Sequence, residues 1–401
     1  MVTPNSLGVY LYGIIPTREQ IIFDVTGADE DHDEVYSIPH DDPPTAPSAG
    51  SGQALRQAKG DNSRQALAAV VSAGPLPDYR NLKRNEAAHY LVAHQRVVET
   101  VMQDFPILPA KFGTVLTDET QVRRLLAQGK ALFQSALHRL AFRVQMEVVV
   151  LWNPQPIFQE ISQEEPVVRL KNLVADQPFE ETVNERVAIG RLVHDSLECR
   201  RTPLRTFLIS ALREVSLDMV LNPLMDDSMV ANVALLVDEA GLQALERRLE
   251  ALDSEFEEGK RPAFGNMPLH FRCVGPLPPY SFSTVEVQVP SFETVDEARR
   301  CLGLEETVAP GEIKQAYRWL ASQLHPDHNP DDPQAEARMA ELTQAYELLT
   351  AYAENVQRGR GAEEHRRAPL SSNSLAPRLD FSQKAVEQTL LIAIRRQEIV
   401  T

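Results

Sequence analysis

Apolar residues in the first part of the chain form short strand-like runs and one long helical pattern. Residues 9–15 are mostly aromatic or β-branched and end at Pro16, which predicts a buried strand. Further strands are predicted at 21–23 and 66–71. Residues 85–105 predict a helix, because apolar side chains recur there at helical spacing. Its predicted apolar face consists of Ala88, Leu91, Val92, Val98, Val101 and Met102.

The pattern continues with an extended segment, two shorter helices and a further strand. Residues 107–116 are predicted to be extended, with a bend at Gly113. Asp118 or Thr120 caps a helix that ends near position 128, and a second short helix precedes a strand at 143–152. This order predicts an antiparallel-rich α+β domain with helices on one face of the sheet, compatible with a ferredoxin-like arrangement.

Two further regions follow a proline-rich boundary at residues 153–156. The first is a smaller α/β unit with a helical insertion that we expect to break at Pro203. Its predicted helices span 180–199, 204–221 and 239–252, and its predicted strands span 230–237, 269–274 and 281–289. The second region contains amphipathic helices at 312–321 and 335–349, and the chain ends in a predicted helix at 382–397.

These patterns divide the chain into four segments and predict an α+β fold class. The segments are two α/β domains at 1–153 and 154–290, a small all-α helical hairpin at 291–355, and a tail at 356–401. Residues 24–60 are rich in Asp, Glu, Pro, Gly and Ser, which predicts a solvated loop. A calcium loop is the alternative, but the Gly and terminal Glu that it requires are absent at their spacing.

Composition narrows the classes of partner. The 401 residues carry a formal net charge of −17. Because the chain is acidic and has no basic stripe interleaved with aromatics, nucleic acid and anionic membranes are not expected partners. Its apolar runs are strand-sized and too short to span a bilayer. Cys199, Cys273 and Cys301 lack metal-ligand spacing, and we interpret them as buried, reduced thiols of a cytosolic protein.

The sequence contains no pattern that predicts an enzyme. It lacks a Gly-rich phosphate loop, a Gly-x-Ser-x-Gly elbow and a His-Glu-x-x-His pair. His89 and His94 are five residues apart and face different sides of their predicted helix. Glu86 and His89 form a Glu-x-x-His pair, but no second pair exists for a di-iron site. We therefore interpret both histidines as parts of a surface helix and predict no catalytic residue, cofactor or metal.

The most specific local motif is the tripeptide His325, Pro326 and Asp327, which lies between the two helices of the third segment. Between helices with these apolar spacings, it resembles the motif of a J-domain, the module by which co-chaperones contact an Hsp70 and trigger its ATPase. The resemblance implies that Lys314, Arg318 and the tripeptide make the Hsp70 contact.

Charge weighs against a strong Hsp70 contact. Gln315 and Trp319 occupy places where further lysines would be usual, and residues 292–354 contain 5 Lys and Arg against 13 Asp and Glu. A working co-chaperone and a J-like module kept for docking or spacing therefore remain alternatives. In both cases the predicted interior is formed by Leu302, Leu304, Ile313, Tyr317, Leu320, Leu324, Met339, Leu342, Tyr346 and Leu349.

Three signatures upstream carry a second resemblance. The first contains Tyr10, Tyr12 and Gly13; the second contains His94, Pro109, Phe112 and Gly113; the third contains residues 232–237, Gly275, Pro276, Pro278, Pro279 and Tyr280. In this order they resemble the gas vesicle protein F/L family over about residues 7–289. The acidic loop is longer than that family needs, and Leu277 stands where an aromatic residue is expected.

The second resemblance implies an accessory protein for gas vesicle assembly, built from two α/β domains of which the first is ferredoxin-like. The implied partners are the small hydrophobic shell subunit and other gas vesicle accessory proteins, with an Hsp70 added by the J-like module. The implied location is the cytoplasm, in association with gas vesicles. The alternative is a J-protein co-chaperone whose N-terminal domains hold a client.

Two of the signature segments have both a functional and a structural interpretation. Residues 275–280 are either a ligand for a proline-recognising domain or a rigid connector between strands, and the connector is favoured. Residues 105–112 are either a docking surface for the shell subunit or part of the core, and strand alternation leaves both interpretations open.

Overall fold

The computed structural model describes residues 6–27, 34–40, 66–76, 79, 82–260, 264, 267–325, 334–364 and 378–397. The strands are β1 (Ser6–Ile15), β2 (Ile22–Thr26), β3 (Glu34–Pro39), β4 (Ala68–Leu76), β5 (Leu108–Pro109), β6 (Val115–Leu116), β7 (Val144–Trp152), β8 (Asp218–Leu221), β9 (Met229–Val237), β10 (Leu269–Leu277), β11 (Thr284–Gln288), β12 (Thr307–Val308), β13 (Leu379–Asp380) and β14 (Leu391–Arg395). The helices are α1 (Arg84–Asp104), α2 (Glu119–Leu140), α3 (Pro154–Ile161), α4 (Glu165–Val174), α5 (Val183–Arg213), α6 (Glu239–Glu257), α7 (Phe292–Cys301), α8 (Pro310–Leu324), α9 (Ala335–Glu364) and α10 (Gln383–Glu387).

The chain packs into two compact units. Unit 1 contains residues 1–139 and 283–395, and unit 2 contains residues 140–282 and 396–401. The mixed strand and helix content, with a helical part near the C-terminus, confirms the α+β fold class. The boundaries between sequence segments that we predicted at residues 153, 290 and 355 stay predictions.

Unit 1 is built on an antiparallel sheet with the strand order β2-β3-β4-β1-β5. The β1 residues Tyr10, Leu11 and Tyr12 are all fully buried, because this strand is covered on both faces. The prediction of an uninterrupted loop at 24–60 is wrong where β3 pairs with β2 and β4. Acidic residues flank β3, and its alternation of apolar and polar residues is too short to indicate a strand within that acidic stretch. The rest of that acidic stretch, at 28–33 and 41–60, lies outside the described residues.

The buried face of α1 differs from the predicted one. Leu91 and Val92 are 47% and 58% exposed, although they were predicted to be buried. The prediction combined residues from two neighbouring arcs of the helix, whereas the sheet covers one arc. The buried residues are Ala93, His94, Val97, Val98 and Val101.

Two helices continue past positions where we predicted an end near 128 and a break at Pro203. Gly129 lies inside α2, where the fully buried ring of Phe133 occupies the space that a Cβ at this position would need. Pro203 lies inside α5, which buried residues such as Leu204 and Leu208 hold against the core of unit 2. The predicted helix at 204–221 is wrong in its last residues, which form β8.

Unit 2 contains an antiparallel sheet with the strand order β10-β7-β9-β8. We predicted β7 as a strand of the first domain, but it is a central strand of this second sheet. The apolar run indicated a central strand without naming its neighbours, because pairing is decided by distant residues. Helices α5 and α6 pack on this sheet through Leu208, Leu212, Leu245 and Leu252.

The C-terminal part of unit 1 contains α7, α8 and α9, together with residues 378–395, which we call the return segment. Within the return segment, β13 pairs with β12 and β14 pairs with β11. Its apolar side chains join the core formed by α7, α8 and α9. These side chains are Leu379, Phe381, Val386 and Leu391.

The predicted terminal helix at 382–397 is wrong. Helix α10 ends at Glu387, and β14 follows it as a strand. The apolar run at 390–394 satisfies both a helical and a strand period, so sequence alone does not separate the two. Strand β11 supplies the backbone partners that favour a strand.

The prediction of buried cysteines is also wrong, because Cys199 and Cys273 are exposed and Cys301 is partly exposed. Cys273 lies on β10 at one edge of its sheet, where less surface is covered. Neighbouring atoms that cover part of the Cys273 thiol, together with the carboxylate of Glu246, raise its pKa although the residue as a whole is exposed.

We expect Phe381→Ala to lower the free energy of unfolding by about 3–5 kcal/mol, because it removes a fully buried ring that packs against Tyr352. Urea denaturation followed by circular dichroism measures this loss. Val92→Ala is the matched control in unit 1, since Val92 is exposed and its truncation should change the value by less than about 0.5 kcal/mol. Equal stability of the two variants would contradict the core assignment of the return segment.

Candidate functional site

The first two signatures meet in a buried polar and aromatic cluster between β1 and α1. The hydroxyl of Tyr10 lies 2.9 Å from Nδ1 of His94 and accepts a hydrogen bond from the backbone N–H of Gly113 at 3.0 Å. The hydroxyl of Tyr12 lies 3.1 Å from Oγ of Ser72 on β4. The rings of Tyr12 and His94 are stacked, with centroids 5.6 Å apart. We call these residues, together with Phe112, the tyrosine–histidine cluster.

Phe112 and Gly13 complete the neighbourhood of this cluster. The half-buried ring of Phe112 lies edge-on to His94, with centroids 5.9 Å apart. Gly13 is opposite Pro109 in the β1–β5 pair, and a Cβ there would lie 2.8 Å from the carbonyl oxygen of Leu108. Only glycine allows this close approach of two strands without a shift of one of them.

Burial lowers the pKa of His94 to about 4, although a hydrogen bond with the backbone of Ala110 acts in the opposite direction. The ring is therefore neutral near pH 7. The interpretation of His94 as a surface residue is wrong, whereas His89 is exposed as expected. The spacing of His94 to Val97, Val98 and Val101 was the available signal, because all four lie on the buried arc of α1. This arrangement stabilises the fold.

Residues 105–112 belong mainly to the core. Phe105, Ile107, Leu108 and Ala110 are at most 3% exposed, so their side chains are not available to a partner. This segment does not form an open docking surface for a hydrophobic subunit.

The third signature lies in unit 2. Strand β10 extends to Leu277, and a Cβ on Gly275 would lie 2.5 Å from the sulfur of Met146. Pro278 and Pro279 are buried, and the backbone N–H of Ser281 donates to the side chain of Gln145 at 2.9 Å. Tyr280 is half-buried, while Gly275 and Pro276 are exposed. These contacts favour the rigid connector over a free proline-rich ligand.

The J-like module, residues 292–355, is a packed helical hairpin. The rings of Tyr317 on α8 and Tyr346 on α9 are stacked with centroids 4.2 Å apart. Ile313, Leu342 and Leu349 are buried between the helices. The ten residues predicted for the interior all belong to this core or pack against it.

The outer side of α8 carries the residues assigned to partner contact. Lys314 and Arg318 are exposed and one turn apart, so both cations lie on one side of the helix. His325 is exposed and follows the last residue of α8 with an extended backbone. Pro326 and Asp327 lie outside the described residues. The structure therefore places Lys314 and Arg318 on one side of the helix whose last residue precedes His325.

Sequence reasoning missed the polar residues of α9 that hold the return segment. Asn355 Oδ1 accepts the backbone N–H of Ile392 at 3.0 Å, and Arg358 donates to the carbonyl oxygen of Ile392 at 3.0 Å. The hydroxyl of Tyr352 donates to the carbonyl of Asp380 at 2.7 Å. These partners lie at least 28 residues away in sequence, and nothing local in the helix pattern indicates them.

Within the described ranges, no helix is both long and apolar enough to cross a bilayer. In the same part of the chain, His, Cys, Asp and Glu side chains form no group of three or more that could hold a metal ion.

We expect the free energy of unfolding to fall as the pH is lowered from about 6.5 towards 4. In this range the unfolded chain binds a proton at His94 and the folded chain does not. The expected loss reaches about 3 kcal/mol near pH 4. Urea denaturation across this pH range measures it. His94→Gln should be less stable at pH 7 but should lack this part of the pH dependence, and an unchanged dependence would contradict the assignment.

Comparison with known proteins agrees with both resemblances. The family model described as gas vesicle synthesis protein GvpL/GvpF matches residues 8–284, and the DnaJ domain model matches residues 300–355. Gas vesicle protein F of Nostoc sp. strain PCC 7120 is 24% identical over 200 residues, which cover 49% of this chain and 77% of that protein. The mitochondrial chaperone protein dnaJ GFA2 of Arabidopsis thaliana is 46% identical over 59 residues, which cover 15% of this chain and 13% of that protein.

Among solved structures, the crystal structure of gas vesicle protein GvpF from Anabaena sp. PCC7120 matches with a TM-score of 0.47 and 21% identity. The match covers 69% of this chain and 95% of that chain. The chain spans about an eighth of the length of the DnaJ-type relative, so only the module is shared with it. The chain therefore belongs to the gas vesicle synthesis protein GvpL/GvpF family and carries a DnaJ domain near its C-terminus.

Proposed function

We propose that this chain is a gas vesicle accessory protein that binds the small hydrophobic shell subunit during vesicle nucleation or growth. The observation that carries the proposal is the family match over residues 8–284, which spans both α/β parts of the chain. The signature residues of unit 1 support the scaffold from within, since Tyr10 and Tyr12 are fully buried. Binding then uses other, exposed residues of the α/β parts.

The chemistry of such a subunit explains the need for an accessory protein. A very hydrophobic subunit exposes large apolar surface before assembly and aggregates unless a partner covers it. A partner with a net charge of −17 stays soluble while it holds such a client. We propose the cytoplasm, at the growing vesicle, as the place of action, with other accessory proteins as additional partners.

Co-purification of the full chain with the shell subunit tests this proposal. The full chain is required because β14 pairs with β11, so a fragment ending near residue 290 would lose the partner of β11. We expect the tagged chain to retain the shell subunit at about 0.5 M salt, because apolar contacts are not screened by ions. The variant His325→Gln should retain it equally. Absence of the subunit from both eluates would contradict the proposal.

A second function is favoured by a specific observation on α8. Lys314 and Arg318 are exposed on one side of the helix that ends beside His325. We propose that this module stimulates the ATPase of an Hsp70, with Lys314 and Arg318 facing acidic residues of that partner and with His325, Pro326 and Asp327 as the trigger. The two functions are compatible, because an Hsp70 recruited to the bound shell subunit would keep it from aggregating.

The ATP turnover of an Hsp70, measured with and without the full chain, tests the second proposal. We expect stimulation by the wild type and none by His325→Gln, because the substitution removes the trigger and leaves the exposed helix intact. The double variant Lys314→Ala/Arg318→Ala should require about two- to fivefold more protein for half-maximal stimulation, because it removes exposed charges that steer the encounter. Stimulation that is indifferent to His325→Gln would contradict the proposal.

A further inference from the structure

Helix α8 exposes a large aromatic side chain that the core of the module does not use. Trp319 is 61% exposed, although tryptophan is the largest side chain and buries the most apolar surface when covered. By contrast, Trp152, the other tryptophan of the chain, is 2% exposed. An exposed tryptophan on a rigid helix indicates a contact surface, because tryptophan is enriched among residues that dominate binding energy.

The inner side of α8 is filled without Trp319. Ile313, Tyr317, Leu320 and Leu324 belong to the core of the module or pack against it, with Tyr317 stacked on Tyr346. Positions 314, 315, 318, 319 and 322 are exposed and form the opposite side of the helix. Truncation of Trp319 therefore removes surface area and leaves the hairpin packing unchanged.

Charge on this exposed side differs from the charge of the module around it. Residues 310–324 contain Lys314 and Arg318 and a single carboxylate, Glu312, at the start of the helix. The module as a whole has an excess of acidic residues. The exposed side of α8 thus presents an apolar ring next to two cations. A complementary surface has an apolar recess surrounded by carboxylates.

We propose that Trp319 is the anchor residue of the contact between α8 and an Hsp70, inserting into an apolar recess while Lys314 and Arg318 pair with carboxylates around it. This proposal rests on the proposed Hsp70 function. It assigns the main binding contribution to apolar burial, and it gives the two cations the roles of steering and orientation. The contact is consequently tolerant of salt, since ions screen exposed charge pairs and leave apolar burial unaffected.

The partner that binds the exposed side of α8 is an acidic protein and not a second copy of this chain. A symmetric contact through α8 would bring Lys314 and Arg318 of one copy against the same cations of the other. Like charges that face each other across an interface oppose binding. Sedimentation of the wild type and of Trp319→Ala at equal concentration tests this point, and we expect the same monomer content in both.

The ATP turnover of an Hsp70, titrated with the full chain at about 0.05 M and about 0.3 M salt, tests the anchor. We expect Trp319→Ala to raise the concentration for half-maximal stimulation at least about tenfold at both salt concentrations. Trp319→Lys should bind well at low salt and lose at least about tenfold at high salt, because it replaces apolar burial by a screened charge. Met225→Ala, which truncates a side chain that is 76% exposed in unit 2, is the control and should match the wild type.

A direct observation of the anchor is available because the chain has two tryptophans. In the full chain labelled with 5-fluorotryptophan, the fluorine signal of Trp319 should shift and lose its solvent sensitivity when unlabelled Hsp70 is added. The signal of Trp152 should stay unchanged and serves as the internal control.

The outcomes separate the two proposals. If the wild type stimulates, His325→Gln abolishes stimulation and Trp319→Ala differs from the wild type by less than about twofold, the anchor is wrong and the Hsp70 function stands. If the wild type neither stimulates nor shifts the Trp319 signal, both are wrong. A gain of monomer in Trp319→Ala with unchanged stimulation would assign the residue to self-association and would overturn the anchor.

Discussion

The pairing of β14 with β11 is the constraint on which the C-terminal half of unit 1 depends. Five residues of each strand are in register, from Thr284 opposite Arg395 to Gln288 opposite Leu391. A two-stranded ribbon is marginally stable by itself, so further contacts must hold it. Asn355 and Arg358 of α9 supply them by bonding the backbone of Ile392, which occupies the outer edge of the ribbon. A sheet edge that is bonded in this way does not pair with another chain there.

The ribbon also connects the J-like module to the N-terminal sheet. Ala110 forms a β-bridge with Val285. The carboxylate of Glu286 forms ion pairs with Lys111 at 2.6 Å and with Arg395 at 3.0 Å. The bond from Lys111 is the largest cause of the lowered pKa of Glu286. The two cations are 62% and 70% exposed, and ion pairs with such exposed partners contribute roughly 0–1 kcal/mol each, so the buried side chains of the return segment dominate the stability of this connection. The module is therefore an integral part of unit 1 that leaves the outer side of α8 uncovered.

Charge is distributed unevenly in this molecule, and the proposed functions depend on that distribution. The acidic total favours solubility beside a hydrophobic client. The cations of α8 are few, so electrostatic attraction alone is a weak basis for a partner contact. An aromatic anchor compensates for missing charge because burying it gains free energy that salt does not reduce.

The sequence by itself determined the α+β class, the positions of several strands such as β1, β7 and β9, the helical hairpin of the module and both family resemblances. These features depend on the local spacing of apolar residues and on short motifs. Both can be identified without knowing which segments lie nearby in space. It could not determine that β7 belongs to the second sheet, that residues 391–395 form a strand, or that His94 is buried beside Tyr10. Each of these depends on a partner more than 70 residues away, and a local apolar pattern is equally compatible with several partners. Only the tertiary structure decided these three features. Which strands pair and which side chains are buried depends on the edges and apolar surfaces that the other packed elements leave available.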